Sequence, residues 1–264
     1  MPRLVDELPA IAASLPDRPT RGRHARMELA SVLIGSDDLA RARRDYALLL
    51  GVEAGTLADG SLRFRLGRGA VELARATPGL RAIRFSGTTA AALAEISFHG
   101  ISVVAASEEE TSDRPAGDDA PTNAPIAIDH VVIQTADGDR AIALWRDRIG
   151  LRLALDRTFP ERGLRLIFFR SGGMTLEFAT PVAGSGAAVA GGSSASHDDV
   201  LYGVSYRVAD LSAHRARLLG HGVDVSEIRR GMKPGTVVAT VRSGSGGVPT
   251  LLLQVASSTH ASAG

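Results

Sequence analysis

The sequence contains no cysteine, which excludes disulfides, thiolate metal centres and cysteine nucleophiles together. Aromatic residues are scarce at 4%, so a core must rest on Leu, Val, Ile and Ala, within an ordinary globular mixture of 44% hydrophobic and 22% charged residues. A surplus of one charge sign is also missing. The formal net charge is +1, with Arg greatly outnumbering Lys, and this balance leaves no electrostatic footprint for nucleic acid or an anionic membrane. No apolar run approaches the ~20 residues needed to span a bilayer. The first residues, MPRLVDELPAIAASLPDRP, place Asp6 and Glu7 where a signal peptide wants positive charge, and Pro9 and Pro16 interrupt the apolar stretch. Residues 1–25 therefore read as a short arm, and the protein as cytoplasmic, with neither nucleic acid nor membrane as partner.

What is present is organised by two low-complexity stretches. Residues 107–125 (SEEETSDRPAGDDAPTNAP) mix acids, prolines and small polar residues without apolar periodicity and read as a linker. Residues 183–199 are rich in Gly, Ala and Ser and read as a loop, and 257–264 as a tail. Three ordered blocks remain, at 26–106, 126–182 and 200–256.

The second block is the clearest. IAIDHVVIQT (126–135) is a β-branched run and reads as a strand. Asp137 is placed to cap a helix over 141–149, with Ile142, Trp145 and Ile149 at helical spacing and Gly150 as its stop. Strand-like runs follow at 151–156, 165–170 and 174–180, giving the order β-α-β-β-β. The first block has the same grammar: Gly51 aligns with Gly150 at an offset of 99 residues, and the same offset pairs Asp38 with Asp137, Ala42 with Ala141 and Tyr46 with Trp145. AVELA (70–74) answers TLEFA (175–179), pairing Glu72 with Glu177. The third block repeats it with GVSYRV (203–208), a capping Asp210, a helix to Gly220 or Gly222, and strands near 223–229, 236–242 and 249–255. A shorter copy at 80–104 breaks off where its last two strands should come. Agreement at a fixed offset with one element order indicates an internal repeat.

These residues resemble the vicinal-oxygen-chelate superfamily, which includes glyoxalase I, bleomycin-resistance proteins and extradiol dioxygenases. The resemblance rests on IDHVVIQTADGDRAIALWRDRIGL (128–151), MTLEFATP (174–181) and YGVSYRVADLSAHRARLLGHGVDV (202–225), and covers most of 26–256. It implies an α+β fold of paired β-α-β-β-β modules with curved mixed sheets, complete in the C-terminal half (126–256) and degraded in the N-terminal half (26–106). It also implies a cavity between strands 128–135 and 174–180 on one side and 203–208 and 249–255 on the other.

The family's ligand positions fall on His130 and Glu177. Alternate residues of a strand share a face, so His130, Val132 and Gln134 point one way, as do Thr175, Glu177 and Ala179. An imidazole and a carboxylate on neighbouring strands supply half of a site for a divalent metal such as Zn, Ni, Mn or Fe. The other half is absent: the last module offers Gly203 and about Leu252, and the N-terminal half Ser31, Glu72 and about Arg81, with Glu72 read as a relic or a surface residue. His197 in the loop, or a partner chain of a homodimer, could complete the set. Gln134, Ser205, Arg207 and Gln254 share the inward faces and are placed to orient a substrate, Arg207 by pairing with an anionic group. The basic loop RRGMKPG (229–235) could approach such a group, while His214 and His221 fit solvated or helix-end positions.

Three functions follow. The first is a glyoxalase-like, metal-dependent lyase or isomerase acting on a small oxygenated metabolite, with Glu177 catalytic. The second is a metal-free protein of the bleomycin-resistance type that binds a small-molecule ligand. The third is an extradiol-type dioxygenase, which requires a second histidine for its facial triad.

Overall fold

The computed structural model describes residues 27–106, 124–182 and 198–256. The arm, most of the linker, most of the Gly/Ala/Ser loop including His197, and the tail lie outside the described residues.

The N-terminal half forms β1 (Glu28–Ser36), α1 (Leu39–Leu50), β2 (Gly55–Thr56), β3 (Leu62–Arg65), β4 (Ala70–Arg75), β5 (Gly79–Ser86), α2 (Ala90–Ala94) and β6 (Val103–Ala105). The C-terminal half forms β7 (Pro125–Gln134), α3 (Gly138–Ile142) continued by a π-helical turn (Ala143–Arg148), and β8 (Arg152–Phe159). After these come β9 (Leu164–Ser171), β10 (Met174–Pro181), β11 (Val200–Val208), α4 (Leu211–Gly220), β12 (Arg229–Arg230), β13 (Thr236–Val241) and β14 (Thr250–Val255). The expected caps close as spacing predicts. The Asp38, Asp137 and Asp210 carboxylates each accept from the backbone N–H three residues on, at 2.9 Å, satisfying an orphan donor of the first turn. Gly51 and Gly150 stop the first helix of each half with φ of 66° and 85°, where a Cβ would be strained.

The C-terminal half is one eight-stranded sheet in the order β12-β13-β14-β11-β7-β10-β9-β8. In each module the first strand runs parallel to the fourth, β7 with β10 and β11 with β14, and the two first strands meet antiparallel. His130 opposes Ser205 and Val132 opposes Gly203, so a pseudo-dyad passes between Val131 and Val204 and exchanges His130 with Gly203 and Val132 with Ser205. Glu177 lies beside Val132 as Leu251 lies beside Ser205. The counterpart of Glu177 is thus Leu251, one residue before the expected Leu252. The run expected as a strand at 223–229 makes only a bridge from Val225 to Val241 and the short β12.

The N-terminal sheet has six strands, β2-β3-β4-β1-β5-β6. Among the described residues the shortened copy has no further strands, and β6 lies parallel to β5, in the place a fourth strand occupies in the complete modules. Residues 103–105 therefore complete a β-α-β crossover instead of starting a meander. The register pairs Ser31 with Arg84 and Leu33 with Ala82, so Gly203 corresponds to Ala82, one residue past the expected Arg81, and Ser205 to Arg84.

The helix-bearing faces of both sheets meet in a single apolar core that includes Val32, Tyr46, Phe64, Phe85, Val131, Trp145, Phe178, Tyr206 and Leu252. The other face of the eight-stranded sheet carries two separate apolar patches, one of Phe159, Leu166, Phe168 and Ala179, the other of Val238, Leu251 and Leu253. Met232, in the loop between β12 and β13, packs on the first patch at the far wing. The sheet therefore curls until its edges face each other, and the polar residues of β7, β10 and β11 line the floor of the cleft.

Candidate functional site

The floor of the cleft is set by three adjacent strands in register. Along one row Ser205, His130, Thr175 and Arg170 lie side by side; along the next, Gly203, Val132, Glu177 and Phe168 do so. A bulge shifts the pairing after His130, leaving Asp129 as the extra residue between His130 and Ile128. That extra residue turns the Asp129 carboxylate toward the side of the sheet that its neighbour His130 faces. His130 Nδ1 lies 3.0 Å from Asp129 Oδ2, and Arg207 forms an ion pair with Asp129 Oδ1. With Asp129 ionised, Nδ1 of His130 carries the proton and donates, which leaves Nε2 directed at Glu177 Oε2, 3.7 Å away.

The electrostatics follow from burial. His130 is 1% exposed and Glu177 fully enclosed. Burial pushes the Glu177 carboxyl up to about 7, with the charge of His130 opposing the rise and that of Asp129 adding to it. Burial works against a charged His130, yet the Asp129 hydrogen bond and the charges of Glu177 and Asp129 outweigh it and raise its pKa. Burial would also raise Asp129; the hydrogen bond from His130 and the charges of His130 and Arg207 hold it well below the usual carboxylate range. Among the described residues neither oxygen of Glu177 has a hydrogen-bond partner, and neither do the side-chain amide of Gln134 or the hydroxyl of Ser205. Each such buried orphan costs about 1–3 kcal/mol unless a ligand or water completes it.

The N-terminal half shows what a neutralised version of this site looks like. Glu72, the counterpart of Glu177, is fully buried, contrary to the expectation of a surface residue or relic. It accepts from Ser31 Oγ at 2.7 Å and from Arg63 Nη1 at 2.5 Å, and Arg84 Nε lies 2.7 Å from its other oxygen. Arg63 and Arg84 occupy the places that Phe168 and Ser205 hold beside Glu177. Gly35 stands where Gln134 does, and the O of Thr77 lies 2.1 Å from where its Cβ would be. The same carboxylate is thus locked by two guanidinium groups in one half and left bare in the other.

Residues 129–240 match the model of the glyoxalase/bleomycin resistance protein/dioxygenase superfamily. Over the whole chain the architecture is similar to that of BphC, a halotolerant catechol dioxygenase, with a TM-score of 0.62 and 15% identity over 87% of each chain. The C-terminal half belongs to this superfamily. A methylmalonyl-CoA epimerase from Mycobacterium tuberculosis is similar to part of the chain at 23% identity, covering 52% of this chain and 92% of that one with a TM-score of 0.41. A Streptomyces coelicolor methylmalonyl-CoA epimerase variant in complex with 2-nitronate-propionyl-CoA shows 24% identity over 49% of this chain and 96% of that one, with a TM-score of 0.39. No curated protein sequence matches the chain.

Within this glyoxalase-like half, the fold brings His130, Glu177, Gln134, Ser205 and Arg207 to one face. Gln254 is a correction: its Oε1 accepts from the backbone N–H of Leu211 at 2.8 Å, so it caps α4 on the helix side, where Leu252 also points. His214 corrects another expectation, being fully buried in α4, whereas His221 is exposed and bonds the carbonyl of Arg217 at the helix end as predicted. Sequence reasoning missed Asp129 as a functional group. The Asp-His pair was visible, but strict alternation assigns Asp129 to the opposite face, and only the bulge reverses that. Arg170 and Phe168 were missed because β9 carries no motif of its own.

The donor set does not fit a firmly held divalent metal. His130 Nε2 and Glu177 supply two donors, and the dyad-related positions are Gly203 and Leu251. A Cβ on Gly203 would stand 2.6 Å from the carbonyl oxygen of Pro249, so no larger side chain fits there without movement of the backbone. Among the described residues no group of three His, Cys, Asp or Glu is placed to hold an ion. Catalytic zinc normally has three protein ligands, and the iron of a facial triad needs two histidines and a carboxylate. Among the described residues, no helix is long and apolar enough to cross a membrane.

Proposed function

We propose that the C-terminal cleft binds a small oxygenated metabolite and that Glu177 moves a proton on the carbon beside its carbonyl, as a lyase or isomerase does. The observation that carries this reading is the pair formed by Glu177, with both oxygens unpartnered in a fully buried position, and His130 Nε2 at 3.7 Å. A carboxyl poised near 7 is matched to proton transfer at neutral pH. In its ionised form Glu177 takes the proton from carbon; the C–H electron pair passes into the carbonyl, and the enolate oxygen that results accepts the Nε2–H of His130 in its imidazolium form, in which Nδ1–H also donates to Asp129. Returning the proton from Glu177 to carbon closes the cycle. Asp129 orients His130 and favours its protonated form, and Arg207 keeps Asp129 ionised and in place. Gln134 and Ser205 supply unpaired polar atoms to orient the remaining oxygens.

Solvent-deuterium exchange followed by NMR tests this, on a panel of small 2-oxo and 2-hydroxy carbonyl compounds. The wild type is expected to exchange the α-hydrogen of at least one compound, and Glu177→Gln to lose that exchange by two orders of magnitude or more while still binding it. Equal exchange by both proteins would sink the role of Glu177. A second reading, binding without turnover, is favoured by Gly203 and Leu251, which leave one side of the cleft floor without reactive groups. Tight binding of a panel compound with no exchange by the wild type would establish it instead.

A further inference from the structure

Lys233 is the only lysine in the sequence. It sits in the loop between β12 and β13, next to Met232, whose side chain packs on the Phe159–Leu166–Phe168 wing across the cleft. The loop therefore reaches across to that wing, with Lys233 as the next residue along it. Lys233 has no ion pair among the described residues. Burial lowers the pKa of its ammonium; the charge of Asp129 is felt as attraction and those of Arg170 and Arg207 as repulsion, so Lys233 lies within electrostatic reach of all three. Arg170 reaches the same end of the floor by donating to Thr175 Oγ1 at 3.1 Å, beside His130. Three cationic side chains thus gather at the His130 end, while Phe168 and Leu166 flank Glu177 and Ala179 along the floor.

We infer that the ligand of the cleft carries an oxyanion group, a carboxylate or a phosphate, held by Lys233 with Arg170 and Arg207, and an apolar body lying on Phe168, Leu166 and Met232. The loop at 231–235 then closes over the ligand, with Lys233 as its anion contact. Asp129 already answers Arg207, and an anion joining Lys233 and Arg170 gains charge-assisted hydrogen bonds from both; Glu177, Gln134 and Ser205, without hydrogen-bond partners among the described residues, lie between the charged and apolar ends to meet the oxygenated centre. This rests on the proton-transfer reading above for the position of that centre, but not for the anion.

The test is equilibrium binding by calorimetry to the full chain with three probes: 2-oxo-3-phenylpropanoate, its methyl ester, and phenyl phosphate. The acid or the phosphate is expected to bind at least tenfold tighter than the ester, and which of the two binds better identifies the oxyanion. Lys233→Met is expected to remove that preference while leaving ester affinity unchanged, and Lys233→Arg to retain most of it. Because Lys233 is the sole lysine, its acylation by an amine-selective reagent, read by peptide mass spectrometry, should be slowed by the acid and not by the ester. Equal binding of acid and ester, equal weakening of both by Lys233→Met, or no binding of any probe would overturn the inference. Deuterium exchange is measured in parallel. An anion preference without exchange defeats only the catalytic reading, and exchange without anion preference defeats only this one.

Discussion

At the scale of single residues, the two buried glutamates are a built-in control. Glu72 and Glu177 occupy equivalent places in corresponding modules, yet Glu72 has two guanidinium partners, whereas Glu177 has an imidazole at 3.7 Å and, among the described residues, no hydrogen bond. Glu177 is held at about 7 in the folded chain against 4.5 when exposed, so the folded state keeps a proton that the unfolded chain gives up. Its contribution is complete below pH 4.5 and is lost as pH rises through 7, a change on the order of 3 kcal/mol. The raised pKa of His130 works in the same direction. Glu177→Gln should therefore be more stable than the wild type at pH 8, with the difference shrinking toward pH 5, as chemical denaturation across that range would show; a difference that does not change with pH would contradict it. Removing Arg63 is the converse experiment. Arg63→Ala leaves Glu72 with one cation in a closed site and should cost about 3 kcal/mol, the usual penalty for breaking a buried pair. Metal content belongs at this scale as well: two donors predict no divalent ion retained with micromolar affinity, and exchange activity and melting temperature unchanged by chelator, whereas a loss of either on chelation would restore the metal reading.

At the scale of elements, much was legible because the repeat is written in caps and glycines. Asp38 and Asp137, and Gly51 and Gly150, sit at one offset since each does a local job that depends on few neighbours: accepting from N3 or adopting a left-handed turn. Register was less legible. Leu251 and Ala82 each fall one residue from the positions expected, because a strand's sequence does not state where its ladder begins, and at Ala82 a bulge of β1–β5 also shifts the count. The same physics hid Asp129, placed by a bulge, and misplaced Gln254, whose alternation is that of Leu252. The direction of the Glu177 strand was plain, but its partner groups Phe168 and Arg170 come from β9, which pairs with it only in three dimensions. Gly203 shows how an element closes off a chemistry. Gly203→Ala pushes a Cβ against the Pro249 carbonyl and should destabilise the protein by roughly 1–3 kcal/mol, and Gly203→His should fail to create a third metal donor, with thermal unfolding and metal uptake as the two readouts. Metal uptake by a folded Gly203→His protein would show that the β11–β14 backbone yields more readily than its contacts imply.

At the scale of the molecule, the N-terminal half is packed against the C-terminal one as part of a single core. Trp145, the only tryptophan, stands at the junction with Phe178 of its own half at a ring separation of 5.8 Å and with Phe85 and Phe98 of the other half at 6.0 and 5.5 Å. Around it, Tyr46 donates to the carbonyl of Ser245, Arg217 to that of Leu48 and Arg148 to that of Glu95, each crossing between halves. The strands also meet, through the bridge of Arg68 with Ala127, three residues from His130. With the helix-bearing faces of both sheets in one core, separating the halves would expose apolar surface on both. The whole chain should accordingly unfold in one transition, with Trp145 fluorescence and far-ultraviolet circular dichroism coincident. Phe85→Ala, a change wholly within the N-terminal half, removes a fully buried ring against Trp145 and should cost about 3–5 kcal/mol of that single transition. It should also lower the affinity of the C-terminal cleft by no more than the fraction unfolded, since no ligand-facing residue moves with it. Two separated transitions, with Trp145 following only the second, would mean that the halves fold independently and that the N-terminal one is dispensable.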